Sequence, residues 1–106
     1  MANNLHVGHR SRLRERVNAE GLNNFHDYQV LEYALSFVVP YKDTNPIAHE
    51  LINKFGSFSA VLEADEEDLK EVKGMGEVSA HFLTSIIKIY ISYTWFISSN
   101  NGVLYN

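Results

Sequence analysis

At 106 residues, with 45% hydrophobic and 12% aromatic side chains, the chain has the length of one domain and enough apolar material to bury a core without staples. It contains no cysteine, which excludes disulfides and thiolate metal sites and suits a reducing cytoplasm. The net charge of −4 is the reverse of the basic excess carried by domains that bind nucleic acid across a whole face. The opening MANNLHVGHRSR lacks an apolar signal core, and Lys88, Ser92 and Thr94 interrupt the most apolar run, Ile86 to Ile97, so neither export nor a membrane span is expected.

In chain order, periodicity predicts a first helix from about His9 to Ala19, stopped by Gly21. It holds Arg10 and Arg14 on one face, Arg12 and Arg16 on another, and Leu13 with Val17 as an apolar stripe. Residues 1–20 carry these four arginines against Glu15 and Glu20, a balance of +2, which leaves −6 for the other 86 residues. The arginines form a second basic patch able to grip phosphate, or a solvated face paired with nearby acids.

Asp27 reads as the N-cap of a second helix, Tyr28 to about Val38, ended by Pro40. Asp43 or Thr44 caps a third, with Pro46 in its first turn, Ile47, Leu51, Ile52 and Phe55 facing inward, and Gly56 as its stop. Ser57 starts a short helical turn through Phe58, Val61 and Leu62, and Asp65 caps the helix after it.

Next comes LKEVKGMGEVSAHFL, Leu69 to Leu83. Gly74 and Gly76 bracket Met75 with helical periodicity on both sides, which describes a helix-hairpin-helix spanning about 66–97. Without side chains at the two glycines, the hairpin amides and the start of the next helix can approach an anion, and the helix dipole favours negative charge there. Lys73 and Ser79 are the side chains nearest such a phosphate site, made of Lys73, Gly74, Met75, Gly76 and Ser79. The alternative is a tight helix connection in which Met75 plugs the core. From Glu63 to His81 seven acids face two lysines, a local balance of −5 that opposes phosphate.

The last helix begins at about Glu77 with an apolar set at Ala80, Leu83, Ile86, Ile87 and Tyr90. Local propensity in IYISYTWFI tolerates a strand, but continuity favours helix, with Ser98 to Gly102 fraying. Ile86, Tyr90, Tyr93, Trp95 and Phe96 suit either a central core helix, the preferred reading, or a surface for self-association or another partner. The expectation is an all-α, compact domain of five or six helices covering 1–106.

The blocks GHRSRLRERV, DYQVLEYAL, PYKDTNPIA, FGSFSAVLEA and LKEVKGMGEVSA resemble, in order and spacing, the N-terminal domain of the RadC family, from about His6 to Leu83. The resemblance implies a DNA-repair association and weak, non-sequence-specific contact with a DNA backbone through Gly74, Met75 and Gly76. RadC proteins pair this domain with a JAB/MPN metalloprotease-like domain that binds zinc through an H-x-H and a following aspartate. These 106 residues contain no such segment, so the resemblance implies no metal or cofactor for them. It leaves a second function open, an adaptor that docks a JAB/MPN domain or another protein without touching DNA. Where DNA-binding hairpins commonly continue with proline and lysine, this chain has Glu77 and Val78.

His6, His9, His26, His49 and His81 lie apart from any helical H-E-x-x-H and are expected at surfaces or caps. Hairpin glycosylases place a catalytic aspartate downstream of the hairpin, but no aspartate follows Asp68. A binding protein, not an enzyme, is the expectation.

Overall fold

The computed structural model describes residues 2–40 and 42–104, with side chains for 8–40 and 42–99. Six helices follow one another: α1 (Ala2–Glu20), α2 (Asp27–Leu35), α3 (Thr44–Phe55), α4 (Phe58–Glu63), α5 (Glu66–Lys70) and α6 (Glu77–Leu104). The fold is all-α, as the periodicity predicts, and the described residues contain no strand.

Local chemistry sets most boundaries. Asp43 accepts from the Asn45 N–H (3.0 Å) and Ser57 from the Ala60 N–H (3.1 Å), each covering an orphan amide at a helix start. Gly56 ends α3 at φ +100° and Gly21 follows α1 at φ +73°, conformations that disfavour a side chain. α2 starts one residue earlier than expected, with His26 rather than Asp27 at the N-cap, because the Gln29 side chain accepts from the His26 N–H (2.9 Å). It also stops at Leu35, not Val38. The Ser36 hydroxyl bonds back to the Tyr33 carbonyl (2.6 Å), and the chain leaves through tight turns to Val39.

α1 begins at Ala2, not near His9. Nothing between the two residues breaks a helix outright, since a mid-helix glycine such as Gly8 costs only about 1 kcal/mol. The helix is held from His9 onward. Arg10 donates from Nη1 to the Ser36 carbonyl (3.1 Å) and from Nη2 to the carbonyls of Val39 and Lys42 (2.5 Å each), meeting acceptors that the end of α2 leaves open. His9 donates from Nε2 to Glu32 (2.6 Å), a carboxylate only 3% exposed that also accepts from Asn45 Nδ2 (3.2 Å). A buried carboxylate without such partners would carry a heavy desolvation cost.

The core lies where α2 crosses α3 and α4 to α6 close over them. Leu31, Leu35, Ala48, Leu51, Val61, Leu69, Ala80 and Leu83 are fully buried, and each leucine contributes about 1.5–3 kcal/mol. Ile47 is buried, while Ile52 and Phe55 pack half-buried against the same cluster. Below this core the Glu66 carboxylate ties α5 to α6, accepting from His81 Nδ1 (2.7 Å) and the Thr84 hydroxyl (3.1 Å).

α6 departs furthest from expectation. It remains helical to Leu104 with no break at Ser98, and it is a core helix only in its first half. Ile89, Tyr90, Ile91, Tyr93, Trp95 and Phe96 are 55–67% exposed. At 1.5 Å per residue the helix is about 42 Å long, and the helices before it are too short to cover that length. Among the described residues, no helix is long and apolar enough to cross a membrane.

The tie between α5 and α6 has a pH signature. The His81 hydrogen bond, then that of Thr84, lowers the Glu66 pKa below its ordinary value of 4.5, and Lys54 does the same for Glu71. A carboxyl lowered by folding stabilises the fold above its ordinary value and loses that contribution as pH falls through the folded value. The thermal midpoint is therefore expected to fall on acidification below about pH 4.5. His81→Ala should make that acid limb shallower, measured by circular dichroism melts between about pH 6 and pH 3.

Candidate nucleic-acid interface

The chain from α5 to α6 turns through Glu71 to Gly76, and its two glycines have different reasons to be glycine. Gly74 sits at φ +96°, and a Cβ there would lie 2.7 Å from Ile47 Cδ1 and 2.9 Å from Ile47 Cγ1. Both backbone conformation and packing exclude a side chain. Gly76 has no positive φ, and a Cβ there would meet nothing within 4 Å. Its surface is open.

Met75 is half-buried against the core and its N–H donates to the Val72 carbonyl (3.0 Å). Ser79 is only 4% exposed. Its hydroxyl accepts from the Gly76 N–H (2.9 Å) and lies 3.3 Å from the Gly76 carbonyl, closing the start of α6 on itself. Of the five residues expected around a phosphate, Ser79 and Met75 therefore shape the turn from within, Gly74 seats it on α3, and Gly76 and Lys73 face solvent. The outward donors are the first-turn amides of Glu77 and Val78, which helix geometry leaves without intrahelical acceptors and whose residues are exposed.

Two lysines border this end. Lys73 and Lys42 line one groove with Gly74, Ile47, Asp43 and Glu50, and among the described residues neither lysine forms an ion pair. Lys42 is absent from the sequence candidates. Its only signal is its place in PYKDTNPIA, since 31 residues separate it from Lys73. The other nearby cations are engaged: Lys54 with Glu71 (2.8 Å), and Lys70 with Glu67 (2.8 Å), whose hydrogen bond raises the Lys70 pKa. Asp43 is likewise occupied as the α3 cap, whereas Glu50 and Glu77 keep negative charge near the groove.

The four arginines of α1 do not converge on one patch. Arg10 is bound to backbone carbonyls, including that of Lys42. Arg14 lies over the Phe37 ring (4.9 Å), and Arg16 lies over Phe25 (4.2 Å) with Glu20 at 3.6 Å. Arg12 is exposed and lies against Gly8, 3.1 Å from where a Cβ would stand. Among the histidines, His9 and His81 bind glutamates, while His26 and His49 each stack with Tyr28. The His6 side chain lies outside the described residues, among which no three His, Asp or Glu side chains are placed to hold a metal.

Gly74→Ala is expected to destabilise the fold by about 2–4 kcal/mol, combining a left-handed backbone penalty with overpacking against Ile47. Urea denaturation of the variant beside the parent chain measures this; an unchanged midpoint would mean that Ile47 yields freely.

The chain is similar to UPF0758 protein FN0909 of Fusobacterium nucleatum subsp. nucleatum, with 43% identity over 76 residues, 72% of this chain and 33% of that protein. It is also similar to UPF0758 protein SPO0054 of Ruegeria pomeroyi, with 46% identity over 69 residues, 65% of this chain and 31% of that protein. Its homologues are thus UPF0758 proteins, and the chain spans about a third of the length of the curated relatives it matches. No protein-family model and no solved structure matches it.

Proposed function

We propose that the domain is a RadC-like, DNA-repair-associated module that contacts the DNA backbone weakly and without reading sequence, acting by binding and not by catalysis. In this reading α5, the turn from Glu71 to Gly76 and the start of α6 form a helix-hairpin-helix. The observation that carries it is the openness of Gly76: neither φ nor packing requires a glycine there, and its bare surface lets a phosphate reach the outward amides of Glu77 and Val78. Lys73 and Lys42 supply the nearby positive charge. The kinship with UPF0758 proteins accords with the RadC-like blocks of the sequence.

The electrostatics set the strength. Glu77 occupies the first turn of α6, where its own carboxylate already meets the helix dipole and competes with an incoming anion. With two or three phosphates neutralised, the salt slope would be roughly −2 to −3, and affinity near physiological salt would lie at or below the non-specific range of about 10⁻⁴ to 10⁻⁶ M. Contacts of this kind fix position on a strand and carry no direct base code.

Gly76→Asp separates binding from folding. Aspartate is a favoured N-cap residue, so the start of α6 is retained or strengthened while a carboxylate enters the phosphate position. Fluorescence anisotropy of labelled single-stranded, duplex and branched DNA, from low to physiological salt, should show salt-sensitive binding by the parent chain. The variant is expected to bind at least tenfold more weakly with an unchanged or higher thermal midpoint. Absence of binding by the parent even at low salt would sink the DNA reading.

A further inference from the structure

The exposed half of α6 has an internal order that its composition conceals. Phe82, Ile86, Ile89, Tyr93 and Phe96 are spaced by four, three, four and three residues, the alternation of a helix-pairing seam, and Tyr90 and Ile97 extend it along one edge. At about 100° per residue these seven side chains fill one stripe about 120° wide, and between Phe82 and Ile97 nothing in it is more polar than tyrosine; Asn100 takes the next seam position. Ser85, Lys88, Ser92, Thr94, Ser98 and Ser99 all lie outside it, interspersed with Ile87, Ile91 and Trp95. The stripe begins on the body, where Phe82 and Ile86 pack half-buried against the core, and continues into solvent through Ile89 (67% exposed), Tyr90 (63%) and Tyr93 (60%). A seam that is half satisfied by the domain itself and half open has the geometry of a helix awaiting another helix.

We propose that the projecting half of α6 pairs with the same segment of a second copy of this chain, the two helices running antiparallel. Three features select that occupant. From Ile89 to Ser99 the helix carries no charged residue, so two copies can meet across a two-fold axis with no like charges opposed. Next, the area suits only a weak, transient homodimer. Ile89, Tyr90, Tyr93 and Phe96 leave roughly 450 Å² of side chain open per copy, so complete cover would bury about 900 Å² per pair, below the roughly 1,200 Å² at which stable interfaces begin. Finally, Glu66, Glu67, Asp68, Glu71 and Glu77 gather at the base of α6, so a parallel pair would bring two acidic bodies together. An antiparallel pair holds them at opposite ends.

Sedimentation velocity of the full chain, from about 10 to 300 µM, is the test, a range high enough to populate a weak, transient pair. The parent should shift with concentration toward twice its 12.1 kDa mass. Two isoleucines only two positions apart separate the seam from general stickiness: Ile89 is in the stripe, Ile91 is on the opposite face, and both are exposed. Ile89→Glu should weaken association at least tenfold, while Ile91→Glu should leave it within about threefold, with unchanged circular dichroism in both. A parent that stays monomeric throughout, a dimer that survives Ile89→Glu, or an equal loss in both variants would each overturn the proposal.

Discussion

The contact on which the domain turns is Ile47 against the bare α-carbon of Gly74. Ile47 is on the helix that crosses α2, and Gly74 is in the turn that launches α6, so this contact joins the two halves of the chain. Had Gly74 a side chain, the turn would have to lift off α3, and Val72, Ala80 and Leu83 would lose the registry that buries them with Leu51 and Val61. The same seating fixes the direction in which the first turn of α6 points its amides. A packing constraint inside the body thereby fixes where the turn meets solvent, and the two glycines differ in role: one is dictated by the fold, and the other is left open to solvent.

Much of this arrangement is legible in the sequence where chemistry is local. Asp43, Gly56 and Ser57 act within three or four residues of themselves, so their caps follow from residue type alone. The all-α class and the turn at Gly74 follow likewise. Legibility fails where a residue's role depends on a distant partner. Arg10 reads as one of four interchangeable arginines until α2 ends three residues short and the turns after it present the carbonyls of Ser36 and Val39 to that side chain. Ser79 reads as a first-turn hydroxyl facing a phosphate, and only the inward turn of the helix shows that it closes on Gly76 instead.

The misreading of α6 has a different origin. An apolar run normally implies burial, and Ile86 to Ile97 is apolar around much of its circumference, so a core position is the natural inference. The body, however, is closed by Leu69, Val72, Ala80 and Leu83, and among the described residues no element covers the helix from Ile89 to Phe96. Composition reports what a segment would gain by burial; it does not say whether a neighbour exists. The three-and-four spacing adds only that the apolar residues form a continuous face, as on any helix that buries one side.

The two ends of α6 also bear on each other. If the turn before α6 contacts DNA as proposed, two amides, two lysines and an acidic surround would bind a phosphate backbone too weakly to hold it alone at physiological salt. Antiparallel pairing would place two such hairpins at opposite ends of a helix pair, tens of ångströms apart. Once one hairpin engaged a strand, the second would meet the same strand at a high effective concentration, so avidity could exceed either contact by orders of magnitude with no new interaction. The span between the hairpins would then select among nucleic-acid shapes, favouring long or bent segments over short ones, although neither hairpin reads a base. Weakness at each site is what makes that selection depend on geometry: a hairpin able to bind alone would hold any strand it met, whatever its length or curvature.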